Sequence, residues 1–548
     1  MIRYSILIVF MAFFAGCSDD FLDKEPIDSV SENAVFSDEG FAESYLYNVY
    51  DFLPSGFGNG ASNIGNGDIG YGDYYNLSTV CDEARNKSGW ISSQTTVVPG
   101  LISPTNNPLG LWGESYTGVR RANHLIEGLE SSALDEVFIK RVIAEARYVR
   151  AWLYFDLVRR YGDVPLITVV QNIDDGDALL VSRTPASEIY AFIDAELEEI
   201  AEDIPLAVDF SDDKYGRVNR ETVWALSSRS NLYAENYEKA ASSAKKIMDG
   251  NHFSLSQDLN ALFQSESKNP EVIFEILFQL PFKGHSWDRV NLPFSWRTDW
   301  GSQVNPVQEL VDEFEMADTG LPVTDPASGY DPQNPYEGRD KRFYASILYH
   351  DAPFKGGVVD AEYLVGAEGL LANGLTTITG YYVRKFLDES LPFDPNFSES
   401  KCSWKEFRLA EILLNYAEAQ NEAVGPDASV YSAINQLRSR AGLPDLLAGL
   451  SQDEMREKIK HERRVELCFE NHRYFDLIRW GIAEETLNDK FFHGMKITRD
   501  ADDNLVFDPT FLVDMRPKQI FLPKHNLMPL PQSEIEKNPN LLPQNEGY

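Results

Sequence analysis

The densest grouping of residues able to move protons runs from His461 to Asp476, with Glu462, Arg463, Arg464, Glu466, Glu470 and Arg473 between them. Two kinds of chemistry could follow: metal ligation or acid–base catalysis. His461-Glu462 opens like the helix of a zinc protease, but H-E-x-x-H needs a second histidine where Val465 stands, so that chemistry is excluded. The other charges alternate in sign at spacings of three and four, which sets opposite charges on adjacent turns of one helix. They read as a structural ion-pair ladder rather than a catalytic set. Gly65, Gly67 and Gly70 satisfy G-x-G-x-x-G, yet no apolar strand precedes them and YGDYY (71–75) follows where a helix should start. A dinucleotide fold is excluded on that ground. Neither G-x-S-x-G nor a P-loop occurs. With 86 acidic residues in the chain, paired carboxylates carry no information about glycosidase chemistry. No catalytic residue and no metal ligand is assigned.

Aromatic residues in polar, glycine-rich surroundings offer binding chemistry instead. A sugar ring has an apolar C–H face and a polar hydroxyl edge. It is gripped by a flat exposed ring with Asp, Asn or Arg at its rim. Asp73, Tyr74, Tyr75, Asp82, Arg85, Asn86 and Trp90 supply that mixture in one stretch, and Trp287, Trp296 and Trp300 supply it in another. Any one of these tryptophans, taken alone, belongs in a core more often than on a surface. Two loop-rich clusters together point to at least one exposed ring.

These loops need a scaffold. Apolar residues recur at helical spacing in 38–52, 145–166, 187–205, 221–250, 407–423, 429–444 and 453–480. Gly162 and Pro165 stop the second of these, and Ser187 is placed to cap the third. In 221–250 two helices meet near Glu235 to Tyr237, with Ala225, Ala234, Ala240 and Ala241 where helices must approach closely. That pattern is similar to a tetratricopeptide helix pair. Residues 271–280 read as a buried strand or helix, and no regular element is expected between 356 and 400. The long Gly-, Asn-, Ser- and Thr-rich stretch 55–110 is of the kind that carries function.

The chain holds 548 residues with a formal net charge of −37, which repels phosphate backbones and excludes nucleic acid as a partner. On its own the charge weakly favours neutral ligands. Mean hydropathy is −0.32, that of a soluble body. Residues 1–17 combine Arg3, an apolar run too short to span a bilayer, and Ala15-Gly16-Cys17. Small residues before a cysteine resemble a bacterial lipobox, with Phe14 where leucine is usual and Cys17 as the acyl acceptor. Ser18, Asp19 and Asp20 resemble the acidic export tag of surface lipoproteins. Cys81, Cys402 and Cys468 are too scattered for a zinc site or a disulfide framework.

Several segments together resemble the SusD/RagB family: HERRVELCFENHRYFDLIRW (461–480), FRLAEILLNYAEAQNEA (407–423), YSAINQLRSRAGLP (431–444), EGRDKRFYASILY (337–349), AEARYVRAWLYFDLVRRYGDVPL (144–166) and LMPLPQSEIEKNPNLLPQNEGY (527–548). Lys341 departs from the proline often found there. The resemblance implies a mainly α, SusD-like fold: a tetratricopeptide-like helix-pair scaffold carrying an irregular loop-rich ligand lobe. Residues 1–16 are then a lipoprotein signal peptide and 17–37 a lipidated tether. Residues 38–548 form a single body, with the scaffold largely in 116–250 and 404–482 and the lobe largely in 53–112 and 254–400. The implied protein is a non-enzymatic outer-membrane lipoprotein, exposed at the cell surface. It touches the membrane only through lipid and hands oligosaccharide to a SusC-like TonB-dependent β-barrel. A RagB-like peptide or glycopeptide ligand, or a helical scaffold with no small ligand, are the alternatives. No cofactor is expected, and the residue pattern does not speak to a structural calcium.

Overall fold

The computed structural model describes residues 35–57, 76–211, 214–265, 267–279, 283–297, 300–391 and 400–548. Cys17, Asp73, Tyr74 and Tyr75 lie outside them. The fold is mainly helical. In chain order the main helices are α1 (Glu39–Tyr50), α2 (Trp112–Glu130), α3 (Glu136–Tyr161), α4 (Ala186–Ile200), α5 (Arg220–Tyr233), α6 (Tyr237–Gly250), α7 (Leu409–Ala423), α8 (Ala428–Ala441), α9 (Gln452–Glu466) and α10 (Arg473–Arg479).

Local chemistry sets the boundaries. Asp135 accepts from Val137 N and Phe138 N, both at 3.0 Å, to start α3. Gly162, at φ 71°, ends it in a conformation other residues resist. Ser451 and Glu454 form a capping box at the start of α9. The cap expected of Ser187 is absent: α4 begins one residue earlier, behind Pro185, without a side-chain cap. Proline fixes φ near the helical value and lacks the donor that a helix start leaves idle, so the turn forms without the hydroxyl.

Successive helices pack as neighbours from α2 through α6. The stack then jumps in sequence: α6 lies against α7, and α7 against α8 and α9. Two alanine-rich pairs, distant in the chain, thus form one scaffold. At Gly118 a methyl group would sit 2.6 Å from Leu153 Cδ1, so the bare backbone lets α2 close on α3. The middle of α3 is buried on every side, with Tyr148, Trp152, Tyr154 and Phe155 all in the core. Truncating one such ring costs about 3–5 kcal/mol.

Short strands β1 (Ala84–Asn86), β2 (Val272–Ile276), β3 (Val304–Pro306) and β4 (Trp404–Arg408) stitch remote segments together. The β1–β3 and β2–β4 pairs are antiparallel. The apolar run at 271–280 therefore resolves as a strand, covered on both faces and paired with the residues that lead into α7. The region 356–400 carries only two-residue strands among the described residues.

One expectation is corrected. Residues 453–480 do not form one helix with an internal charge ladder. The helix breaks at 467–472, where Phe469 and Asn471 both take φ 64°. The charges reach across the fold instead. Arg408 pairs with Glu271 (2.8 Å), Glu466 (2.6 Å) and Glu470 (2.7 Å). Arg440 pairs with Glu271 (2.9 Å) and Glu466 (2.5 Å), and Lys385 with Glu470 (2.8 Å). Arg463 holds Asp476 at 2.7 Å. All these side chains are buried. Arginine neighbours hold the Glu466 and Glu470 carboxyls below their usual range, overriding the burial that would raise them. The structural role expected of this run stands, with long-range partners in place of local ones. Cys81, Cys402 and Cys468 are free and buried.

Candidate saccharide-binding site

Strands β1 and β3 pair in the register Ala84↔Pro306, Arg85↔Asn305, Asn86↔Val304. The next rung follows the same line, with Lys87 N donating to Gln303 O at 2.9 Å. Trp90 stands four residues beyond Asn86, and Trp300 four residues before Val304. The register therefore brings the two indoles together. Their ring centroids are 6.0 Å apart with planes at 61°, an edge-to-face contact. Trp90 is 61% exposed, while Trp300 is half-buried behind it.

The ribbon beneath them is held from both sides. Asn291 Oδ1 accepts from Val304 N at 3.0 Å, Val290 O from Gln303 N at 2.9 Å and Leu292 O from Ser302 N at 3.2 Å. Gly301 adopts φ 122°, and a methyl group there would lie 2.5 Å from Leu292 O. Only glycine lets the chain turn tightly enough at this point to present Trp300.

The structure divides the residues singled out by sequence. Asp82 is buried rather than ligand-facing. It accepts from Arg473 at 2.9 and 2.8 Å and pairs with Arg464 at 3.0 Å. Burial would raise its pKa, but the two guanidinium groups hold it far below the carboxylate range. Arg85 is buried too, donating to Cys81 O at 2.7 Å and Ala84 O at 2.8 Å, with its guanidinium 3.9 Å from the Phe492 ring. Burial lowers its pKa to about 10. The buried Asn86 side chain accepts from Ser88 N at 2.7 Å. Trp287, 3% exposed, donates through Nε1 to Lys385 O at 3.1 Å. These four are buried and build the support. Trp296 is half-buried, edge-on to Phe354 at 5.3 Å. Among the described residues, Trp90 and Trp300 are thus the predicted pair whose rings meet, with Trp90 facing solvent.

Sequence reading missed two cations beside this pair, Arg516 and Lys87. Arg516, from a distant segment, donates from Nε to Asn86 O at 3.0 Å, and its Nη1 lies 3.2 Å from where a Gly89 Cβ would be. Lys87 is buried three residues before Trp90, and Arg297 stands three residues before Trp300. The one available signal was Lys87 itself, in R-N-K directly before the Trp90 turn.

A cleft of about 560 Å³ lies elsewhere, lined by Trp112, Tyr116, Pro165, Ile167, Leu180 and Leu541 among others. Among the described residues, His350, Asp360 and Glu362 have the composition of a metal site, with ligand atoms within 4.8 Å of one another. Glu362 is already bound by Arg499, Oε2 to Nε at 3.0 Å, and His350 Nδ1 accepts from Ala361 N at 3.1 Å.

Residues 270–548 match the family described as the SusD family, and residues 20–232 match a description reading "Starch-binding associating with outer membrane". The chain belongs to the SusD family. Among its relatives, SusD-like protein P2 of Formosa agariphila is 27% identical over 456 residues, covering 80% of each chain. A crystal structure of a SusD-like protein from Bacteroides fragilis superposes with TM-score 0.79 at 26% identity, covering 96% of this chain and all of that one. A second B. fragilis structure, described as a SusD-like carbohydrate binding protein, gives 0.78 at 25% identity over 93% of this chain and all of its own. This SusD-family chain shares its fold with these two structures over 96% and 93% of its length.

Proposed function

We propose that this chain captures a saccharide on the Trp90–Trp300 platform and passes it to a SusC-type β-barrel in the outer membrane, without making or breaking bonds. The observation that carries this reading is Trp90: a large indole, 61% exposed, braced edge-on by a second one. A rigid aromatic face loses little entropy when a sugar ring stacks on it, and that favours capture. The similar B. fragilis protein described as carbohydrate binding supports the reading, as does the starch-binding, outer-membrane description matched by residues 20–232. Asp73, Tyr74 and Tyr75 belong to the same proposed site by their nearness in sequence to Trp90, and Trp296 by standing four residues before Trp300. Acylated Cys17 would anchor the protein, and no helix among the described residues is long and apolar enough to cross a membrane.

The test is calorimetric titration of the mature protein against a panel of oligosaccharides, with a reducing-end assay on the same mixtures. Binding that disappears in Trp90→Ala, with no new reducing ends, is the expected result. Release of reducing ends by purified protein would refute capture without turnover. Loss of metabolic palmitate labelling in Cys17→Ser is the expected outcome for the anchor.

A further inference from the structure

The chain carries 86 acidic residues against 49 lysines and arginines. A cation in such a chain finds a carboxylate easily, and most buried arginines here have one. At two cations beside the tryptophan pair, Lys87 and Arg516, the pattern reverses. Lys87 is only 8% exposed, and its ammonium makes no hydrogen bond or ion pair with any described residue. Arg516 is half-buried and donates to backbone carbonyls, Asn86 O at 3.0 Å and Met515 O at 3.0 Å, with no carboxylate partner among the described residues. Arg297 stacks over Phe294, 4.5 Å from its centroid, three residues before Trp300. Burial first, then the nearby Arg297 and Arg516, push the Lys87 pKa down to about 8. Burial likewise lowers Arg516.

Gathering like charges beside apolar rings costs free energy unless an anion joins them. Guanidinium groups match the flat, two-oxygen edge of a carboxylate or sulfate, and a lysine adds a point charge. From this juxtaposition we infer that the ligand is an acidic saccharide, whose carboxylate or sulfate group lies on Lys87 and Arg516 while its ring stacks on Trp90. The inference rests on the platform reading above and narrows its substrate class. It also reverses the weak preference for neutral ligands suggested by net charge: a local cluster sets the potential that a bound group feels, because solvent and salt screen charges beyond about 8–10 Å.

Matched polymers test it with the full mature chain: a sulfated galactan against its desulfated form, and polygalacturonate against its methyl ester. The acidic member of at least one pair is expected to bind about tenfold or more tightly than its neutral partner. That preference should shrink as NaCl rises from about 0.05 M to about 0.5 M. Which pair responds separates sulfate from carboxylate. Lys87→Met should lower affinity for the acidic polymer about tenfold, toward that of the neutral one. Arg516→Gln should do the same, and melting curves of both variants check the fold. Equal or tighter binding of the neutral members overturns the inference, as does a preference that survives in both folded variants. Binding confined to neutral glycans and lost in Trp90→Ala would sink the acidic ligand yet leave the platform standing. No binding of any saccharide would overturn both.

Discussion

Trp90 and Trp300 are separated by most of the loop-rich part of the chain, yet they meet edge to face at 6.0 Å because they share a line in the β1–β3 register. Their spacing is therefore a property of backbone hydrogen bonds, not of side-chain rotation alone.

Removing the exposed ring separates binding from folding. Trp90→Ala should weaken saccharide binding by about 2 kcal/mol, roughly thirtyfold in Kd, as for an anchor at the centre of a contact. Its melting temperature should match the parent's, since the lost surface is already mostly in water. Unchanged affinity by calorimetry would remove Trp90 from the site.

The turn beneath Trp300 gives a subtler handle. Gly301→Ala puts a methyl group against Leu292 O in a backbone region that disfavours side chains. A cost of about 1–3 kcal/mol is expected, with weaker ligand binding although no ligand-facing atom changes. Tryptophan fluorescence should shift as the indoles separate; an unshifted spectrum with full affinity would count against the register argument.

Asp82 is where the ribbon is fastened to the helices. Asp82→Asn leaves Arg473 and Arg464 without their shared counter-charge in a buried setting. Destabilisation of about 3–5 kcal/mol is expected by chemical denaturation. Because its folded-state pKa is depressed, the stability contributed by Asp82 is present above the ordinary aspartate pKa and is lost on acidification toward the lower folded value. The difference between Asp82→Asn and parent should thus narrow as pH falls.

Glu83, next to it, behaves in the opposite sense. Burial raises its carboxyl to about 7, while its Oε2 accepts from Phe469 N at 3.3 Å and Oε1 has no partner. A raised carboxyl favours the folded state most when protonated, so the parent loses stability as pH rises from about 4.5 to about 7. Glu83→Gln should melt above the parent at pH 8 and near it at pH 4.5. An equal gap at both values would show that Glu83 is not protonated in the fold.

The helical stack was legible in the chain because its apolar period, alanine contacts and caps are all local signals. Tyr148, Trp152 and Phe155 announce α3 by spacing alone. The site was less so. Trp90 and Trp287 look alike in sequence, both beside polar residues in irregular segments, and only packing decides that one stacks outward while the other binds Lys385 O. Asp82 and Arg85 have the composition of a sugar contact, but their partners Arg473, Arg464 and Phe492 lie hundreds of residues away. Arg516 was invisible for the same reason: nothing near it in the chain points to Gly89.

The buried network around Arg408, Glu271, Glu466 and Glu470 draws its members from three remote stretches of chain. No one stretch can leave without stranding charge in a dry interior. Denaturation should therefore run as a single event, with proteolytic nicks in surface loops yielding pieces that stay associated until the whole assembly gives way. Loops that meet a ligand can then vary freely while the frame tolerates no partial opening.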